Sequence, residues 1–200
     1  MKLVQDILSN YPGLMSPKKT RSPGASRVQA VDHPLRRRLL DILAVDGPST
    51  VSVLAARTGE MVGNISHHLK VLATAGVIEE VPELAKDRRE RWWKSAWSSY
   101  SWRVGDDEPG AELIGGVAEE SNVTYRAGKI RDWVAKRPEY GAAWGEAELS
   151  LDVWLRLTPE RLTELRERMQ EVLEEYVANP STEPEAEPVY VFAQGVPAQP

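Results

Sequence analysis

The clearest pattern in the chain is a 3.6-residue apolar repeat in residues 61–75, where Ile65, Leu69 and Leu72 fall on one side of a helix. The opposite side carries Gly63, His67, Lys70 and Thr74, with Asn64 and Ser66 flanking. A shorter helix precedes it. Thr50 is placed to cap that helix, Val51, Leu54 and Ala55 to pack it, and Gly59 to end it. Further upstream the pattern turns helical from Ser26, and Asp32-His33-Pro34 is a helix start signal. There Leu35, Leu39, Ile42 and Leu43 face inward, Arg36 and Arg37 are left largely outside, and Asp46-Gly47-Pro48 stops the run. After Gly76, residues 77–81 and 89–93 read as strands joined by a charged loop carrying Lys86, Arg88 and Arg89. Helices followed by such a hairpin describe a winged helix-turn-helix.

The second half is different material. All seven Trp residues lie between positions 92 and 154. A hinge at 106–110 leads into a helix expected over about 111–136, with Leu113, Val117, Tyr125, Ile130 and Trp133 among its apolar positions. Leu149, Leu151, Val153, Leu155 and Leu157 alternate with Ser150, Asp152, Trp154 and Arg156, the period of a half-buried strand. Thr158-Pro159-Glu160 opens a last helix with a cap, a first-turn Pro and an early acid, and Leu157 and Leu162 are spaced for a hydrophobic staple. Along it Leu162, Leu165, Met169, Val172 and Tyr176 approach a heptad seam, which suits either a dimer seam or one side of a core. The acidic stretch 181–188 reads as a loop, and residues 189–192 as a final strand beside 149–157.

The expected fold class is therefore α+β. A basic N-terminal arm and linker (1–24) precedes a winged helix-turn-helix domain (25–100). A smaller C-terminal α/β domain (106–200) follows, with two long helices and a short antiparallel sheet.

Composition narrows the function. Two hundred residues, 42% hydrophobic and 28% charged, suit one or two ordinary globular domains. The net charge of -5 conceals an asymmetry: residues 1–100 hold 15 Lys/Arg against 10 Asp/Glu, residues 101–200 hold 10 against 20. The first half can approach a polyanion and the second cannot. No stretch resembles a signal peptide or approaches membrane-spanning length, so a cytoplasmic protein without membrane partners is expected. Without cysteine there is neither a disulfide framework nor a thiolate metal site.

The outward face of the 61–75 helix suits double-stranded DNA. Small residues permit close approach, Asn, Ser and His offer donors and acceptors to base edges, and Lys suits a phosphate.

Three runs carry a family resemblance: Asp32-His-Pro-Leu-Arg-Arg-Arg-Leu-Leu-Asp-Ile-Leu43, Val51-Ser-Val-Leu-Ala-Ala-Arg-Thr-Gly59 and Asn64-Ile-Ser-His-His-Leu-Lys-Val-Leu72, closed by Ala75-Gly-Val-Ile-Glu-Glu-Val81. Over residues 28–94 the chain resembles the ArsR family of bacterial winged-helix repressors, and the extra C-terminal half looks like a module of longer actinobacterial relatives. The resemblance implies a homodimeric repressor reading an inverted repeat, with the 61–75 helix in the major groove and the wing at 82–89 on flanking DNA. It places base-edge contacts at Gly63, Asn64, Ser66 and His67, and phosphate contacts at Lys70, Lys86, Arg88 and Arg89. Ser49 and Thr50 begin a helix whose backbone N–H groups suit a phosphate.

Many such relatives sense metals, but the three His here are His33, His67 and His68, two of them on the reading helix. Neither a metal site nor a cofactor is expected, and His68 reads as a core residue. In the acidic half, Trp97, Trp102, Trp133, Trp144 and Trp154 either fill a core or line a pocket for a small organic effector. No P-loop, nucleophile elbow, dinucleotide fingerprint or His pair at i, i+4 is present, so no enzyme is expected. Two alternatives stand beside the regulator: a winged helix that binds protein rather than DNA, and an enzyme with an acidic C-terminal site.

Overall fold

A computed structural model of the chain describes residues 25–87, 90–96 and 111–199, without the side chains of 25, 26 and 111–115. The chain divides into two compact units, Met1–Ser121 and Asn122–Pro200.

In the first unit the element order is α1 (Ala25–Val31), α2 (Pro34–Val45), β1 (Ser49–Thr50), α3 (Val51–Thr58), α4 (Val62–Thr74), β2 (Ile78–Glu80), a 3-10 turn (Pro82–Leu84) and β3 (Trp92–Ser95). The boundaries of α2 and α3 have local causes. Pro34 opens α2 in the position where a missing N–H costs nothing, and the His33 Nδ1 accepts the Leu35 N–H at 3.1 Å. Thr50 caps α3 by accepting from the Val53 N–H. Gly59 ends α3 at φ 77°, a left-handed conformation that disfavours any residue with a Cβ. Gly59, Glu60 and Met61 together reverse the chain into α4.

Apolar stripes from α2, α3 and α4 meet in one core with Val77 and Ile78, built on Leu39, Leu54, Ile65, Leu69 and Leu72, each at most 1% exposed. Burying such side chains contributes about 1.5–3 kcal/mol apiece. Arg27 ties α1 to the end of α4, its Nε donating to the Ala75 carbonyl at 3.0 Å.

The sheet is antiparallel in the order β1-β3-β2. Glu79 pairs with Lys94 in register, and their side chains form an ion pair at 3.2 Å. The hairpin expected from the sequence is present, with β3 about three residues later than the alternation suggested. The third strand, β1, was not expected. Two residues are too few to show a period, and Ser49–Thr50 becomes a strand only because Trp92 and Trp93 pair with it.

Arg37 corrects another expectation. It lies on the inner side of α2, 6% exposed, 3.7 Å from Asp32 and 3.3 Å from the Ser121 hydroxyl. A long stem can be buried where its guanidinium finds polar partners.

Helix α5 (Ala111–Tyr140) carries the boundary between the units and ends where Pro138 withholds an N–H and Gly141 turns to φ 83°. The second unit continues with α6 (Ala142–Glu146) and α7 (Pro159–Ala178). Thr158 caps α7 as expected, accepting from the Arg161 N–H. The expected C-terminal sheet is absent among the described residues: 149–157 and 189–192 are both irregular. Alternation alone cannot make a strand, because ladder hydrogen bonds need a neighbour. Residues 189–194 instead run beside α5, with Tyr190 edge-on to Tyr125 at 5.9 Å and Arg126 over the Phe192 ring at 5.4 Å.

Candidate nucleic-acid interface

The α3-turn-α4 pair presents the outward side of α4. Ile65, His68, Leu69 and Leu72 are buried, while Gly63, Ser66, His67, Lys70 and Thr74 are exposed, as the sequence pattern required. A Cβ built on Gly63 would meet nothing within 4 Å, so this position leaves open space on that side.

Two of the candidate readers are engaged locally, one with the turn before α4 and one within the helix. The Asn64 Nδ2 donates to Glu60 Oε2 at 2.9 Å, and the Ser66 hydroxyl donates to the Val62 carbonyl at 2.9 Å. Asn64 is half-buried and keeps its side-chain oxygen for an outside donor, and the Ser66 hydroxyl keeps its lone pairs. The ring of His67 is exposed and stands edge-on to His68 at 5.4 Å.

The helix-start candidates separate. Thr50 is the cap of α3, leaving the N–H groups of Val51 and Ser52 at its open end. Ser49 does not begin that helix. It is a β1 residue, 2% exposed, its hydroxyl donating to the Gly47 carbonyl at 3.3 Å, so its side chain is closed to a phosphate.

Lys86 is exposed on the wing, and its backbone N–H donates to Glu90 Oε2 at 2.8 Å. Arg88 and Arg89 lie outside the described residues. Arg91, exposed at the same wing and 3.8 Å from Glu80, is a further cation that the sequence reading left out.

Two other features were missed. Met61 and Val62 are 79% and 53% exposed at the start of α4, apolar surface of the kind that meets a thymine methyl. Met61 sits four residues before Ile65, and so was legible only as a stripe residue. Glu60 places a carboxylate beside Asn64, and its signal was the spacing Glu60-x-x-x-Asn64.

Beneath α4 lies a histidine cluster. The His33 and His68 rings are 4.6 Å apart, and the His68 Nδ1 is buried without a hydrogen-bond partner among the described residues. His68 is thus buried as expected but not fully satisfied. Burial, then the neighbouring His33, Arg36 and His67, holds its imidazole below the ordinary histidine range against an opposing effect of Glu60. Burial and Arg36 do the same for His33, opposed by Asp32. Both rings are therefore held toward the neutral form. Among the described residues no three His, Cys, Asp or Glu gather as a metal site would require.

In the second unit Tyr140 bridges Trp133 and Trp144, with ring centroids at 5.6 and 6.3 Å. Trp154 is 69% exposed and apart from them in sequence, and Trp97 and Trp102 lie outside the described residues.

Residues 31–81 match a family described as a helix-turn-helix domain, covering α2 through β2. No curated protein matches the chain. The match and the exposed face of α4 together support a DNA-binding regulator. Among the described residues no helix is long and apolar enough to cross a membrane.

Proposed function

We propose that this chain is a sequence-specific transcriptional regulator of the ArsR type, acting as a homodimeric repressor on an inverted-repeat operator. The observation that carries the reading is α4 itself. One side is fixed in the core by Ile65, Leu69 and Leu72, and the other offers Gly63, Asn64, Ser66, His67 and Lys70 on a rigid helix. A rigid helix of this length fits the major groove, where Asn64 and His67 reach base edges and Lys70 a phosphate. Lys86, with Arg88 and Arg89, holds the flanking backbone, and the open N–H groups at the start of α3 add a phosphate contact.

The chain works by binding rather than by turnover, and the acidic second unit supplies dimer contacts. A small organic effector has its best footing at the Trp133, Tyr140 and Trp144 cluster. The action is cytoplasmic, where the operator is.

A salt titration of binding to the chain's own promoter tests the reading. Neutralising several phosphates makes log K fall steeply with log[salt], with a slope of about −0.9 per phosphate. Flat salt dependence would instead favour a winged helix that docks on protein.

A further inference from the structure

Residues 149–157 are the most exposed apolar segment of the second unit. Leu149, Leu151, Val153 and Leu155 are 71%, 83%, 73% and 54% exposed, and Trp154 beside them is 69% exposed. Across these nine residues no backbone hydrogen bond and no side-chain hydrogen bond is made among the described residues. Yet the segment alternates apolar and polar residues as a strand does. A strand with an apolar face and free N–H and C=O groups on both edges is a template for another strand.

We propose that this segment pairs antiparallel with the same segment of a second copy, about a two-fold axis at Trp154. This pairing rests on the homodimeric reading above and names the surface that makes it. The argument for the occupant is self-complementarity, which a two-fold interface demands. Antiparallel pairing centred on Trp154 sets Asp152 opposite Arg156 of the partner subunit, and Arg156 opposite Asp152 of the partner subunit. Neither side chain forms an ion pair within its own chain among the described residues. On the other face Leu151 meets Leu157 of the partner subunit, and Val153 meets Leu155 of the partner subunit, giving one continuous apolar surface. Centring the pair on Val153 keeps an apolar face but sets Asp152 against a Trp and Arg156 against a Ser, so both ion pairs are lost. Charge therefore selects the Trp154 register.

The chain contains no cysteine, so single cysteines report the pairing in the full-length protein. Under mild oxidation Trp154→Cys becomes a covalent dimer on a non-reducing gel, because the two copies of position 154 face each other across the axis. Asp152→Cys does not, since position 156 stands opposite. In sedimentation, Asp152→Arg or Arg156→Asp alone weakens self-association about tenfold, two opposite-charge pairs having become like-charge pairs. The double reversal restores the affinity of the unaltered protein, which a variant that merely unfolds the segment would not do. A stable dimer lacking both the Trp154→Cys cross-link and the rescue overturns the strand pairing and leaves the homodimer standing. Cross-linking through Val153→Cys in place of Trp154→Cys overturns the register. A protein that stays monomeric at every concentration overturns the homodimer and the pairing together.

Discussion

The imidazole of His33, which caps α2, lies 4.6 Å from that of His68, which sits on the buried side of α4. One ring starts the helix that scaffolds the domain and the other belongs to the helix that presents the outward residues Gly63, Ser66, His67 and Lys70. The His33 Nδ1 is an acceptor, and a protonated imidazole has no acceptor left.

Acid should therefore loosen this domain. Both rings have lowered pKa values in the fold, so between those values and the unfolded value of about 6.5 the unfolded chain binds more protons. Stability then rises with pH: this contribution is complete above about pH 6.5 and is lost as pH falls toward the lowered folded values. His33→Asn keeps a capping acceptor but removes one titrating ring. Its melting temperature should fall less between pH 7.5 and pH 5 than that of the unaltered chain. Equal pH slopes would take His33 out of the account.

Base readout should depend on the outward face of α4. Asn64→Ala or His67→Ala is expected to weaken operator binding by about 1–3 kcal/mol and to leave the melting temperature nearly unchanged. Lys70→Ala should weaken operator and random DNA alike and reduce the salt slope by about one phosphate. Competition binding with both DNA types at several salt concentrations separates these roles.

Glu60 should act as a discriminating charge. Its carboxylate orients Asn64 and also repels phosphates. Glu60→Gln is expected to tighten binding to random DNA while narrowing the ratio between operator and random sequence. If the ratio widens, Glu60 does not orient the reader.

Backbone and core make separate demands on stability. Gly59→Ala would place no atom against a neighbour, since nothing lies within 4 Å of the added Cβ. Its cost of about 1–2 kcal/mol comes from the left-handed backbone alone. Leu54→Ala, at a side chain with no exposure, should cost about 2–5 kcal/mol through the cavity it leaves. Urea denaturation of both variants beside Ser66→Ala, expected within about 0.5 kcal/mol of the unaltered chain, orders the three.

The helices of the first unit were legible because each has a period and a punctuation mark of its own. Pro34, Thr50 and Gly59 act on their immediate neighbours, so their residue types suffice, as Thr158 does for α7 in the second unit. The exposed face of α4 followed for the same reason, since a helix with one anchored stripe has only one other side to show. Ser49 and Arg37 were misread because their environments are assembled from a distance. Ser49 is closed off by pairing with Trp93, 44 positions away, and Arg37 meets Ser121 across 84. Met61 was hidden inside a correct pattern: its spacing matched the core stripe, but it precedes the first turn of α4 and stays 79% exposed.

Local chemistry in the sequence thus determined where helices start and stop, which side of α4 is free, and that the two halves carry opposite charge. These features depend on residues within a few positions of one another, or on simple sums. Only the tertiary structure decided which polar groups are spent inside the fold. It closed Ser49 within the sheet and carried Arg37 to the Ser121 hydroxyl. It also gathered His33 under α4 and, among the described residues, left 149–157 without a hydrogen-bonded partner strand. A strand pattern states which face would be apolar, but a hydrogen-bonded ladder exists only where a second strand is brought alongside.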